Sequence, residues 1–366
     1  MFPFVIAFLS SLIVAMIVVR YEHLHSSYSH DHSGDEHGPQ KFHAHPTPRI
    51  GSIPILIGLS LGLLVSWLKG WLHETGWLLL LCALPVCVTG LLEDICRRIR
   101  PFWRLLASFI SASLAYWLLD AGVQRIDIES IDYLLKLWPI SFTFTLLAVG
   151  GVSHSINIID GYNGLAGMVT IMILSAILYV SLAVNDWEMI AICVSLIGAT
   201  IGFLLLNYPR GLIFAGDGGA YLWGFLIAEL SVLLVIRHPN VSPWFPALLV
   251  IYPVWETLFS IYRRRLVRRA SPGLPDALHL HQLIYLRLVK WMVGSREARH
   301  IIRRNSMTSP YLWGVAALSI VPAILFWQNT AALMFCIVFF VIAYGWLYRR
   351  LVQFNSPKFL MIRKNK

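Results

Sequence analysis

The sequence predicts an all-α polytopic membrane protein, and three observations point to it. Hydrophobic residues fill 57% of the 366 positions and charged residues only 13%, against about 45–50% and about 25% in soluble domains. Mean hydropathy is +0.68. The apolar residues gather in runs of about 20, the length a helix needs to cross a bilayer. This composition excludes an ordinary soluble enzyme, a disordered chain and a secreted disulfide scaffold. Cys82, Cys87, Cys96, Cys193 and Cys336 form no CxxC pair, so neither a disulfide framework nor a zinc site is expected.

Eleven runs are long enough to be spanning helices: 2–20, 50–68, 77–92, 102–120, 137–156, 164–183, 187–206, 212–236, 243–262, 310–328 and 330–350. The first lacks a positive stretch ahead of it, and Arg20 follows it, so it reads as a helix and not as a signal peptide. One set of loops is basic: Arg97, Arg98, Arg100 and Arg104, then Arg210, then Arg263 to Arg269, then the tail from Arg349. The other set is short or acidic, as in Asp120, Asp127, Glu129 and Asp132. Positive residues accumulate in cytoplasmic loops, which places the N-terminus outside and the C-terminus in the cytoplasm. That arrangement needs an odd number of crossings, and about eleven satisfies it. The net charge of +10 follows from the same bias, and no basic stretch sits on a soluble module that could bind nucleic acid. Residues 1–366 form a single integral membrane domain with two large cytoplasmic loops, His-rich at 21–49 and basic at 263–309. Any chemistry is expected at the cytoplasmic membrane face.

Carboxylates are few, and three groups fall on that face. Glu93 and Asp94 end the third run, Asp160 lies in Asn157 to Gly164 between the fifth and sixth, and Asp217 opens the eighth within Phe214 to Gly219. Acidic residues cap helix ends on their own account, but three groups flanked by glycines fit Mg²⁺ or Mn²⁺. A hard cation of this kind takes one or two carboxylates and completes its shell with phosphates and water. Gly161, Gly164, Gly216, Gly218 and Gly219 let backbone approach a ligand at helix N-termini, where N–H groups favour phosphate. Neither turn is a Walker A loop. His279 and His281 alternate in a segment read as extended, so both rings should face one way and could grip a phosphate. The seven histidines of 21–45 read as a solvated loop. Glu229, costly in lipid, should face the bundle interior.

Together the loops resemble the polyprenyl-phosphate N-acetylhexosamine-1-phosphate transferase family, from residue 41 to about 287. The family's PTP-R-x-GG turn corresponds to Pro46 to Ser52, its acid pair to Glu93-Asp94, and its N-x-x-D-G-x-(D/N)-G-L to Asn157 to Leu165. Its F-x-G-D-x-G corresponds to Phe214 to Gly219, and its H-x-H region to His279 to Gln282. The chain departs from the pattern in Glu93 for Asp, Asn163 for Asp and Gln282 for His.

The resemblance implies a UDP-N-acetylhexosamine donor, an undecaprenyl phosphate acceptor in the membrane lipid, release of UMP, and the initiation of a lipid-linked surface glycan at a bacterial inner membrane. It favours the O-antigen and enterobacterial-antigen branch over the lipid I translocase. It makes Asp217 the metal ligand and Asp94, Glu93 and Asp160 the catalytic acids. Asn207, Phe214, Asn157, Asn163, Arg49, Thr47, Arg97, Arg104, His279 and His281 become substrate-binding residues. The same reaction on a 6-deoxy or otherwise modified UDP-amino sugar is the nearest alternative. A transporter, the rival from another class, would put polar residues at the bilayer midplane, where these spans are nearly clean. Oligomeric state, including a homodimer, is left open.

Overall fold

All eleven apolar runs are helical in the computed structural model, which describes residues 1–29, 47–267, 278–289 and 298–353. Among the described residues there is no strand. The helices are α1 (Phe2–Arg20), α2 (Glu22–Ser29), α3 (Ser52–Leu68), α4 (Glu74–Cys96), α5 (Pro101–Leu118), α6 (Glu129–Leu135), α7 (Trp138–Ile159) and α8 (Leu165–Ala183). They continue as α9 (Trp187–Asn207), α10 (Gly216–Arg237), α11 (Trp244–Leu249), α12 (Ile251–Tyr262), α13 (Leu280–Ile284), α14 (Ala298–Leu325) and α15 (Thr330–Val352). Among the described residues, eight helices are long and apolar enough to cross a membrane: α1, α4, α7, α8, α9, α10, α14 and α15.

Helix α10 is the axis of the bundle. Its apolar window is 83% buried, and it packs on α4 and α7. Small residues permit the approach, as expected where apolar surface alone gives helices no reason to associate. A Cβ on Gly90 of α4 would stand 2.6 Å from Gly218 Cα, and one on Gly224 would stand 2.5 Å from Ser153 Cα of α7. Helix α1 packs between α3 and α9 by the same means, with Gly58 and Gly198 against its backbone carbonyls.

Three expectations change. The run 243–262 is not one helix but two, parted at Val250. Pro246 and Pro253 each fall in the first turn of their half, where a missing N–H costs nothing, so the chain restarts instead of continuing. The last part of the basic loop 263–309 is helical, because α14 begins at Ala298. The start of the His-rich loop is helical as α2. Residues 30–46, 268–277, 290–297 and 354–366 lie outside the described residues, and with them most of the His-rich tract, Pro46 and much of the basic loop.

The loops divide between two ends of the bundle. The starts of α3, α5 and α10 meet the ends of α4 and α7 at one end, through Arg49, Arg104, Asp217, Asp94 and Asn157. At the other end the start of α4 meets α9 and the end of α10, through Thr75, Glu188 and Arg237. The sequence sorted the loops into the same two sets by charge. Glu229 is 0% exposed within α10, and neither carboxyl oxygen has a hydrogen-bond partner among the described residues. It faces the interior as expected.

Candidate active site

The site is assembled on the N-terminus of α10. Gly216 sits at φ +70°, a left-handed conformation that suits glycine, and a Cβ there would overlap the Arg49 carbonyl and the Asp94 carboxylate. This turn leaves the first N–H groups of α10 without helical partners, and Asp94, reaching over from the end of α4, takes them. Its Oδ1 accepts from Asp217 N–H at 2.9 Å and its Oδ2 from Gly218 N–H at 2.9 Å. Asp94 is 1% exposed. A residue read from sequence as catalytic is therefore committed to holding the metal-ligand candidate in place.

Asp217 collects three donors. Arg104 Nη1 of α5 donates to its Oδ2, Asn157 Nδ2 of α7 donates to its Oδ1 at 3.1 Å, and Arg49 Nη2 stands 3.6 Å from Oδ1. Arg49 Nε also lies 3.6 Å from Asp94 Oδ1. The motif that carries Arg49 is fastened to the Phe214 loop, where Phe214 N–H donates to Pro48 C=O at 2.8 Å and Gly51 N–H to Phe214 C=O at 2.9 Å. Two polar atoms here are buried without a hydrogen-bond partner among the described residues, Arg104 Nε and Ser52 Oγ. Such orphans cost free energy unless something completes them. Asp160, the residue that ends α7, is coupled to the same group. Desolvation pushes its carboxyl up to about 7, Arg49 pulling it back and Asp217 adding to the rise.

Several residues read from sequence as substrate contacts are braces. Asn207 accepts Gly164 N–H at 2.7 Å and donates to Ile213 C=O at 2.8 Å, joining two loops. Asn163 is 3% exposed, donates its side-chain amide to Pro209 C=O at 3.0 Å and accepts Ser309 Oγ on its backbone carbonyl, while its Oδ1 has no hydrogen-bond partner among the described residues. Thr47 Oγ1 donates to Gly211 C=O at 3.2 Å. Glu93 Oε2 accepts Ile99 N–H at 2.7 Å, closing the turn after α4, where Arg97 takes φ +54° and is exposed.

The histidine segment docks beside Asp160. His279 and His281 do face one way, but for a different reason than the one read from sequence. His279 is the N-cap of α13 and His281 lies inside it, and the rings stack at 5.1 Å and 4°. His281 Nε2 stands 3.6 Å from where a Cβ of Gly161 would be, and its ring meets the Tyr162 ring edge-on at 5.6 Å. Glu256 was not singled out from sequence, being one acid inside an apolar run. Its 1% exposed carboxylate lies 3.1 Å from His279 Nδ1 and accepts Leu280 N–H at 2.7 Å and Tyr344 OH at 2.8 Å.

A groove of about 900 Å³ opens next to this cluster. Leu105, adjacent to Arg104, and His154 and Ser155, adjacent to Asn157, line its near end; Ile126, Pro239 and Trp244 line the far end. Its wall is built chiefly from apolar side chains of α7, α10 and α12. Chain neighbours of Arg104 and Asn157, two members of the ion-pair cluster, thus line one end of a largely apolar groove.

Among the described residues no three His, Cys, Asp or Glu side chains cluster as an all-protein metal cage. The carboxylates of Asp217 and Asp160, which influence each other electrostatically, are the hard oxygen donors that Mg²⁺ takes one or two at a time, with phosphate oxygens and water completing its shell.

Comparison with known proteins agrees with this geometry. The model of glycosyl transferase family 4 matches residues 76–235, the stretch from α4 to α10 that holds Asp94, Arg104, Asn157 and Asp217. The chain is 27% identical over 285 residues to a probable undecaprenyl-phosphate N-acetylglucosaminyl 1-phosphate transferase of Bacillus subtilis, covering 76% of this chain and 75% of the relative. A phospho-N-acetylmuramoyl-pentapeptide-transferase of Lactobacillus acidophilus is 27% identical over 270 residues, 69% of this chain and 80% of the relative. An undecaprenyl-phosphate alpha-N-acetylglucosaminyl 1-phosphate transferase of Thermotoga maritima is 24% identical over 257 residues, 70% and 74% of the two chains. Over residues 76–235 the chain, a multi-pass α-helical membrane protein, is similar to glycosyl transferase family 4.

Proposed function

We propose that the protein transfers an N-acetylhexosamine 1-phosphate from a UDP-sugar to undecaprenyl phosphate, releasing UMP, at the cytoplasmic face of a bacterial inner membrane. The observation that carries this reading is the cluster of Asp217, Arg104, Arg49 and Asn157, with Leu105, His154 and Ser155 next to it in the chain lining one end of an apolar groove. A polyprenyl chain fills such a groove while its phosphate remains at the polar end. The names of the relatives support the same acceptor.

In the reaction, a phosphate oxygen of the lipid attacks the phosphorus attached to the sugar. The bond to the bridging oxygen breaks, and UMP leaves with that oxygen. A lipid phosphate is largely ionised at neutral pH, its second pKa lying near 6, so little is asked of a general base. Alignment and charge neutralisation remain, as in other phosphoryl transfers. Arg104, whose Nε is unpartnered among the described residues, and Arg49 are placed to hold phosphate oxygens with charge-assisted hydrogen bonds. Asp94 fixes the α10 terminus, whose N–H groups and dipole favour an anion. Asn157 orients Asp217, and the His279–His281 pair closes the site over Gly161. Asp217 and Asp160 would hold Mg²⁺, which when bound neutralises the diphosphate and the departing UMP.

The test is UMP release by purified protein against a panel of UDP-sugars, with and without undecaprenyl phosphate. Lipid-dependent release from a UDP-N-acetylhexosamine is expected. Release confined to a 6-deoxy amino sugar would move the donor assignment, and no release from any UDP-sugar would end the reading.

A further inference from the structure

Tyr221 bridges the ion-pair cluster and the apolar groove. It lies one turn beyond Asp217 in α10, where a long side chain leans back toward the helix N-terminus. Its ring packs against that of His154, a groove-lining residue of α7, with centroids 4.8 Å apart. Arg104, Asp217, Asp94 and Glu93 are all near enough for their charges to act on its phenol. The residue is 2% exposed, yet its hydroxyl makes no hydrogen bond among the described residues. Buried tyrosines usually give that hydroxyl a partner. Unlike Arg104 Nε and His154 Nε2 beside it, the Tyr221 oxygen is not sealed off from solvent, so a group that enters the site can complete it.

The surroundings narrow what that group is. An apolar tail would leave the hydroxyl unpaired, and a cation has carboxylates close by that suit it better. A phosphate oxygen fits, since O–H bonds to anionic oxygens are short and strong. A neutral donor also adds no positive charge beside Asp217 that would compete with a metal. Two phosphate groups enter the proposed reaction. The nucleotide diphosphate arrives from water, whereas the lipid phosphate is carried on the chain in the groove, the side on which His154 holds the phenol. Resting on the transferase reading above, we propose that the Tyr221 hydroxyl donates to a phosphate oxygen of the polyprenyl phosphate acceptor, and so makes the site select the phosphate over the free polyprenol. Arg104 neutralises the same phosphate from α5.

Tyr221→Phe removes the oxygen and keeps the ring on His154, so the packing is preserved. Equilibrium binding of undecaprenyl phosphate to the full chain in detergent, with no UDP-sugar present, should weaken by about 10–100-fold, the contribution of one hydrogen bond to a charged group. Undecaprenol has the same tail and no anionic acceptor, and its binding should change by less than about threefold. In turnover, KM for undecaprenyl phosphate should rise and KM for the UDP-sugar stay unchanged. Tyr252→Phe is the control, because its hydroxyl is also unpartnered among the described residues but lies sealed within α12 at 0% exposure. It should leave the binding of both lipids within about threefold of wild type. Undecaprenyl phosphate bound equally by Tyr221→Phe and wild type overturns the proposal. An equal loss for undecaprenol also overturns it, since the hydroxyl would then serve packing alone. A raised KM confined to the UDP-sugar would give the contact to the donor and overturns it as well. Failure of the transferase reading looks different: the wild type binds undecaprenyl phosphate with the tyrosine-dependent preference and releases no UMP.

Discussion

The two ends of the bundle each hold a cluster of ion pairs, and only one of them is built to receive anything. At the end away from the candidate site, Asp186 caps α9 through Met189 N–H at 3.1 Å and meets His238 at 2.9 Å and Arg237 at 3.5 Å. Glu188 accepts His73 N–H at 2.9 Å, Thr75 OH at 2.8 Å and Arg237 at 3.1 Å. All four carboxylate oxygens have donors, and the cluster is closed. At the site end, Asp217 and Asp94 are as well supplied, yet Arg104 Nε and Ser52 Oγ have no hydrogen-bond partner among the described residues, and the apolar groove opens alongside. Charge at a helix end is thus no mark of a site. Unspent donors beside a shaped cavity are.

The largest contrast should come from backbone. Gly216→Ala puts a Cβ into the Arg49 carbonyl and the Asp94 carboxylate at φ +70°. Left-handed geometry costs an L-residue about 1–2 kcal/mol and overpacking about 1–3 kcal/mol more. UMP release should fall below detection. Gly70→Ala, also at positive φ but with nothing within 4 Å, should cost only stability.

Chelation comes next. Excess EDTA should reduce turnover by about 10²-fold or more, restored by Mg²⁺ or Mn²⁺ and not by Zn²⁺, as a carboxylate and phosphate donor set requires. Undiminished turnover would remove the metal from the account. The closed end should show no chelator-dependent change in stability.

A smaller effect tests the groove. Ala247→Trp, on its wall, should raise KM for a long-chain polyprenyl phosphate by about tenfold and leave KM for the UDP-sugar unchanged, the pattern of lost ground-state binding. Equal effects on both substrates would place the lipid elsewhere. The smallest effect belongs to the closed end. Arg237→Met should lower stability by about 1 kcal/mol, as partly exposed ion pairs do, with turnover within about threefold.

Much of this was legible in the sequence because the physical signals are local. A run of about 20 apolar residues specifies a helix wherever it sits, and every such run is helical here. The motifs around Arg49, Asp94, Asn157 and Asp217 were found by residue type and by the side on which charge placed them, and the fold brings them together. The missed features depend on distant partners. Pro246 and Pro253 mark a restart only when both fall in first turns. Asp94 looks like an acid and serves as an anchor because Gly216 turns the α10 amides toward it. Asn207 looks like a ligand amide until Ile213 and Gly164 are seen to take both ends of it. Glu256 is isolated in its own run, and its partner His279 lies in the next loop.

If the α10 terminus carries the chemistry and the opposite end only holds helices together, the two ends should respond differently to the loss of one carboxylate. The decisive comparison is Asp217→Asn against Asp186→Asn at matched amounts in detergent, reading polyprenyl-phosphate-dependent UMP release. Each change keeps size and removes one carboxylate charge, and loss of a cap costs only about 1 kcal/mol. A fall of about 10²-fold or more is expected for Asp217→Asn, with Asp186→Asn within about threefold of wild type. An Asp217→Asn protein that retains activity within threefold, or an Asp186→Asn protein that loses as much, would contradict it.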